Sequence, residues 1–157
     1  MHRIDAGTGL APLTARLLMA TIAVGLLHHI DHVLRVDHSG WPFRPDVTPF
    51  TFSLIAYPIL IFALLGPARL YWLRWTGLVL GTALTLYAHA QIETPQMQYA
   101  MWAFNQSLEP RLWDVRNLCG IQSEAIGWVA VIVAMTLNVL LVASTIGMLA
   151  NGVRRGR

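Results

Sequence analysis

The chain has 157 residues, of which 55% are hydrophobic and only 12% charged, where a soluble domain carries about 25% charged residues. That balance excludes an ordinary soluble enzyme and predicts a single all-α integral membrane domain over residues 1–157. The formal charge of +3 comes entirely from arginine, there being no lysine, and the arginines flank apolar windows without forming a basic face, so nucleic acid is not an expected partner.

Four windows are free of Asp, Glu, Lys and Arg or nearly so: Arg16 to Arg35, interrupted by histidines and Asp31, then Val47–Ala68, Trp75–Ile92 and Ala125–Val153. A helix needs about 20 mostly apolar residues to cross a bilayer core of about 30 Å. The windows predict a four-transmembrane-helix bundle, with helices at about 14–35, 49–68, 73–93 and 123–150. None alternates apolar and polar residues with period two, and a spanning barrel needs at least about eight strands. The first window ends in His28-His29-Ile30-Asp31-His32, not in a small-residue cleavage site, so it is expected to be a retained helix and not a signal peptide.

Arginine placement orients the bundle. Arg3, Arg16, Arg69, Arg74, Arg154, Arg155 and Arg157 fall on one side, and Arg35, Arg44, Arg111 and Arg116 on the other. The positive-inside rule then predicts a plasma-membrane protein with both termini in the cytoplasm.

Along the first helix, His28, Asp31, His32 and Arg35 fall at i, i+3, i+4 and i+7, one helix face, while His29 is turned about 100° away toward a neighbour or the headgroups. The following segment, Asp37–Phe50, carries three prolines and a glycine. It reads as a turn-rich lid whose Asp37 and His38 can complete a site. The second helix offers Thr51, Ser53, Tyr57 and the kink-prone Pro58. On the third, Thr82, Thr85, His89 and Glu93 form another stripe. In the third loop, Met97, Ala100, Met101, Phe104 and Leu108 share one helical face, which predicts a short interfacial helix anchored by Trp102 and Trp113, either roofing a pocket or simply lying in the headgroups. Asn105-Gln106-Ser107 matches a glycosylation sequon, meaningful only in a eukaryotic secretory pathway. Cys119 stands alone, which excludes an internal disulfide and leaves a buried filler as the favoured reading over a soft metal ligand. The fourth helix opens on Gln122, Ser123 and Glu124 and carries Asn138 near its middle.

Both polar helix ends point outward, so the stripes of the first and third helices meet at one level. The expected site is a polar pocket of His28, Asp31, His32, His89 and Glu93, with Glu124 as a further candidate. Each member also has a plainer reading. Polar residues in a last turn can sit among headgroups, Asp31 and Arg35 can be a local ion pair, Asn138 an interhelical hydrogen bond, and Glu124 a first-turn acid matched to the helix dipole. The set as a whole exceeds what anchoring requires, and intramembrane ionisable groups are functional candidates by default.

His28 and His32 at i, i+4 have the spacing with which a helix chelates zinc. With His89 and Glu93 they make a metal-binding set for a divalent transition metal: zinc, copper or iron. Asp31 and Glu93 are the candidate catalytic acid/base groups of a membrane oxidoreductase or lipid-modifying enzyme. Haem between His28 or His29 and His89 is a variant. A second class needs no metal: a His/carboxylate pocket in apolar walls can move protons on a hydrophobic ligand. In topology the chain resembles the four-helix sterol-isomerase and sigma-2-receptor fold, with cytoplasmic termini and polar groups at the opposite helix ends; the resemblance implies acid-base chemistry on a sterol- or terpenoid-like lipid and assigns no residue. A third class is a non-catalytic subunit of a larger membrane complex or a homo-oligomer, which Gly77, Gly81, Gly127 and Gly147 would suit by allowing close helix contact.

Overall fold

A computed structural model describes residues 7–35 and 53–155. The lid expected over Asp37–Phe50, with Asp37 and His38, lies outside the described residues, as does Thr51. Helix α1 spans Pro12–Arg35, α2 Ala56–Leu65, α3 Tyr71–Tyr87, α4 Pro95–Ala103 and α5 Glu124–Arg155. No strand occurs among the described residues.

Two of these helices, α1 and α5, are long and apolar enough to cross a membrane. The second and third windows are not confirmed as separate crossings. Helix α2 keeps only ten residues, about 15 Å of helix, and breaks at Gly66-Pro67 before the chain turns. The segments Ser53–Leu65 and Ala68–Ile92 form a pair bent by 119°. Pro67 stands just before the single 3-10 turn Ala68–Leu70 that leads into α3. The last carbonyls of α2 are not left to solvent: Arg74, fully buried on α3, donates from Nε to the Phe62 and Ala63 carbonyls and from Nη1 to that of Thr8 at 2.6 Å. A cation there also opposes the negative end of the helix dipole. Arg74 is thus an internal cap and not a loop residue. Arg35, on the other side of the arginine comparison, is likewise buried, so one arginine leaves each side and the bias persists.

The helices turn their polar and small residues inward beside an apolar core and expose many large apolar side chains. On α1 the buried positions are Thr14, Ala15, Leu18, Thr21, His28, His32 and Arg35, one stripe at helical spacing. Leu13 is 68% exposed, and Leu26, Leu27 and Ile30 are exposed as well. On α5 the buried positions are Gly127, Ala130, Ala134, Leu137, Leu141, Ser144, Met148 and Gly152, stepping by three and four, while Trp128, Val129, Ile132, Val139 and Ile146 face out. Water would penalise that pattern and lipid favours it; small residues at the contact are how helices approach when no hydrophobic force drives them together.

Helices α1 and α5 run antiparallel, since Thr14 meets Asn151, Thr21 meets Ser144 at 3.0 Å, and Gly25 lies beside Leu137. Arg155 donates to the Gly9 carbonyl, so the two ends of the described chain sit at one end of the bundle. Leu18, Leu60, Ala63, Leu78, Leu137, Leu141 and Met148 form the core between α1, α2, α3 and α5. At the opposite end α4 packs on the first half of α5, where a Cβ on Gly127 would come within 2.8 Å of the Tyr99 ring. Thr94 caps α4 by accepting from the Met97 amide, with Pro95 in the first turn, a sequence signal for a helix start.

A short helix does occur in the third loop, over Pro95–Ala103, and its inner face is buried. Trp102 is not a headgroup anchor; it is buried against the bundle, while Trp113 is exposed. Phe104 and Leu108 fall beyond the helix end and are exposed. The sequon residues are used structurally: Asn105 accepts from the Asn117 amide and Ser107 is fully buried.

Candidate metal centre

Where α3 ends, the backbone widens into a π turn over Ala88–Ile92, and the Glu93 amide bonds back to the Ala88 carbonyl at 2.8 Å. Single π turns inside helices are rare and recur at functional sites. This one alters the i, i+4 relation expected between His89 and Glu93 but still turns both inward, and both are buried. Opposite them, α1 presents His28 and His32 one turn apart.

The four side chains converge. His28 Nε2 lies 3.0 Å from His89 Nε2 and 3.0 Å from His32 Nε2. His32 Nε2 lies 3.1 Å from Glu93 Oε2. One ligand atom from each of the four falls within 4.8 Å of every other. With metal–nitrogen bonds of about 2.0–2.1 Å, neighbouring ligands stand about 2.9 Å apart on an octahedral centre and about 3.3 Å on a tetrahedral one. The three short separations fit these polyhedron edges, and the wider ones would close on a bound ion, so this buried group could hold a metal ion.

Proton placement is compatible with a cation. His89 Nδ1 donates to Asn138 Oδ1 at 2.8 Å, which leaves His89 Nε2 as a lone pair directed at the cluster. A cation at the centre would take the lone pairs of all three Nε2 atoms; without one, a proton on His28 Nε2 can serve His89 and a proton on His32 Nε2 can serve Glu93. A metal-ligating histidine whose other nitrogen is held by an amide oxygen is also the usual outer-shell arrangement.

Around this group runs a charged belt. Arg35, 0% exposed, pairs through Nη1 with Glu93 Oε1 and through Nε with Asp31 Oδ2 at 2.7 Å. Asp31 Oδ1 accepts from Trp102 Nε1 at 2.7 Å. Asp31 is thus not one of the four converging residues; its two oxygens hold Arg35 and α4. Arg35 Nη2 also stands 3.4 Å from His32 Nδ1. A guanidinium only donates, so this contact favours a proton on His32 Nε2, directed at Glu93, when no cation is present.

The other expected residues divide. His29 faces Tyr57 of α2, their rings 5.8 Å apart. Glu124 is exposed at the start of α5 and outside the cluster. Cys119 is exposed, neither a buried filler nor a member of the cluster. A haem needs its macrocycle between two axial imidazoles, and the 3.0 Å contact of His28 with His89 leaves no space for one. Sequence reasoning gave Asn138 no role in a site, although a lone amide near mid-helix level with His89 was the available signal. It missed Gln98, fully buried on α4, whose Nε2 reaches the Glu93 carbonyl at 3.5 Å.

The chain matches no known protein family, no curated protein and no solved structure.

Proposed function

We propose that this protein is a small polytopic membrane protein whose function is carried by a divalent transition metal bound at His28, His32, His89 and Glu93, at the extracytoplasmic end of a bundle with both termini in the cytoplasm. The observation that carries this reading is the convergence of three imidazole Nε2 atoms and one carboxylate, with His89 oriented by Asn138. The donor set lacks thiolate and thioether, which turns it away from Cu(I) and toward zinc, iron or Cu(II). A metal there supplies Lewis-acid or one-electron chemistry to a lipid-modifying or oxidoreductase reaction. The chain's own contribution is defined by its contacts: Asn138 fixes the His89 tautomer, Arg35, itself paired with Asp31, holds the Glu93 carboxylate, and α4 closes the outer end.

Metal analysis tests this directly. Protein purified without chelators or a histidine tag and supplied in turn with zinc, iron and copper should retain about one ion per chain, as a deprotonated imidazole and carboxylate set does. His28→Ala, His32→Ala and His89→Ala should each lose it. Background metal with all three ions overturns the reading.

One observation favours a second reading. The His32–Glu93 contact beside Arg35 is a buried imidazole–carboxylate pair complete without a cation, suited to moving a proton on a hydrophobic ligand. It prevails if the metal-free protein turns over or binds such a ligand and Glu93→Gln abolishes this.

A further inference from the structure

Beside the cluster lies a cavity of about 230 Å³ between α1, α2 and α3. Its inner wall is His28, His32 and His89; its rim includes Ile55 and Leu84, which are 59% and 64% exposed. The lining is mostly apolar, which suits an apolar molecule.

The walls narrow the chemistry. Two of the polar side chains facing the space are already committed to backbone: Tyr57 donates to the Gly25 carbonyl at 3.3 Å and Thr85 to that of Gly81 at 2.9 Å. A buried polar atom without such a partner is on His28. Its Nδ1 is buried without a hydrogen-bond partner, whereas that of His89 is engaged by Asn138. When Nε2 of a neutral imidazole is given to a metal, the proton must sit on Nδ1, and a buried N–H donor needs an acceptor. An oxygen in the cavity supplies it. Size restricts the remainder. The volume is below the range of about 300–1,000 Å³ that encloses a drug-sized ligand, which favours a single alkyl or isoprenoid chain.

We infer that this cavity binds a single-chain lipid with an oxygen head, an alcohol, carbonyl or carboxylate, the head lying against His28 and the metal and the chain running out between α2 and α3. This inference rests on the metal reading above and names the substrate class of that site.

The test uses dodecanol bearing a diazirine in its chain, with the metal-loaded full-length protein in lipid nanodiscs and cross-links mapped by mass spectrometry. Labelling should be saturable, fall on peptides of α1 to α3 that line the cavity, and be competed by dodecanol and dodecanoic acid but not by dodecane. Gly81→Leu fills the cavity from a position where an added Cβ meets only Ile59, at 3.7 Å; it should lower labelling about tenfold, near 1.4 kcal/mol of binding, with the metal content unchanged. Thr85→Phe should do the same from one turn further on. Stoichiometric metal with labelling that is unsaturable, equally competed by dodecane, or unaffected in both variants overturns this inference and leaves the metal centre standing. Absence of stoichiometric metal in the unsubstituted protein overturns the metal reading and this inference with it.

Discussion

His89 Nδ1 and Asn138 Oδ1 are joined by a 2.8 Å hydrogen bond between the π turn that ends α3 and the middle of α5. The bond fixes one imidazole tautomer and ties the metal-facing nitrogen of His89 to the longest helix of the protein. An amide in that position does more than join two helices.

Asn138→Ala should therefore weaken metal binding without unfolding the bundle. Loss of an outer-shell partner typically costs about 10–100-fold in affinity. Asn138→Asp, which keeps an acceptor at the same place, should restore most of it. Competition titration against a chromophoric chelator measures both, with helicity by circular dichroism as the control. Equal affinities for the unsubstituted protein and Asn138→Ala would make the contact purely structural.

Arg35 and Glu93 are both fully buried and paired, so removing one leaves the other uncompensated. In metal-free protein, Arg35→Gln should destabilise by about 3–5 kcal/mol, the usual result of breaking a buried ion pair from one side. A bound divalent cation also neutralises Glu93, so the same substitution should cost much less in metal-loaded protein. Thermal unfolding with and without zinc reads the difference. An identical loss in both states would place Glu93 outside the metal's reach.

His29 provides the internal control for the histidine cluster. It is adjacent to His28 in sequence yet turns to Tyr57, and it is not among the four converging residues. His29→Ala should keep stoichiometric metal by elemental analysis where His28→Ala and His32→Ala lose it. Loss of metal in His29→Ala would show that the helix face was assigned wrongly.

Helix α4 is held to the site through one indole. Trp102 Nε1 donates to Asp31 Oδ1 at 2.7 Å, a hydrogen bond to a charged group of the kind worth about 1.5–3 kcal/mol. Trp102→Phe keeps most of the ring and loses the bond. It should speed hydrogen exchange in Pro95–Ala103 while α1 and α5 keep their protection, as measured by mass spectrometry. Unchanged exchange in that helix would assign its docking to Met101 and Tyr99 instead.

How much of this was legible in the sequence follows from which signals are local. The faces of α1 could be read because i, i+3 and i+4 neighbours hold their relation along an unbroken α-helix, and His28, His32 and Arg35 duly share its buried stripe. The second window could not, because hydropathy counts apolar residues and not hydrogen bonds: α2 stops at Leu65 where Gly66-Pro67 breaks it, and Arg74 replaces the missing donors from eleven residues downstream of Ala63. The π turn was equally invisible, having no composition of its own. Trp102 misled because an amphipathic ring suits a headgroup region and a half-buried carboxylate alike. Glu124 joined the expected pocket only by level along the membrane, and level does not fix which way a helix faces.

Orientation has a native reporter. Leu118 donates its amide to the Leu34 carbonyl at 2.8 Å, which binds the segment before α5 to the last turn of α1, at the cluster's end of the bundle. The neighbouring residue, Cys119, is exposed and is the only cysteine in the chain. If the arginine bias sets topology as proposed, a membrane-impermeant maleimide should label Cys119 in intact bacterial spheroplasts expressing the protein, with no signal in Cys119→Ser. A tag on either terminus should stay protected from protease until the membrane is opened. Labelling of Cys119 only after permeabilisation would reverse the orientation. The metal centre would then face the cytoplasm, and its metal would have to be acquired from the cytoplasmic pool.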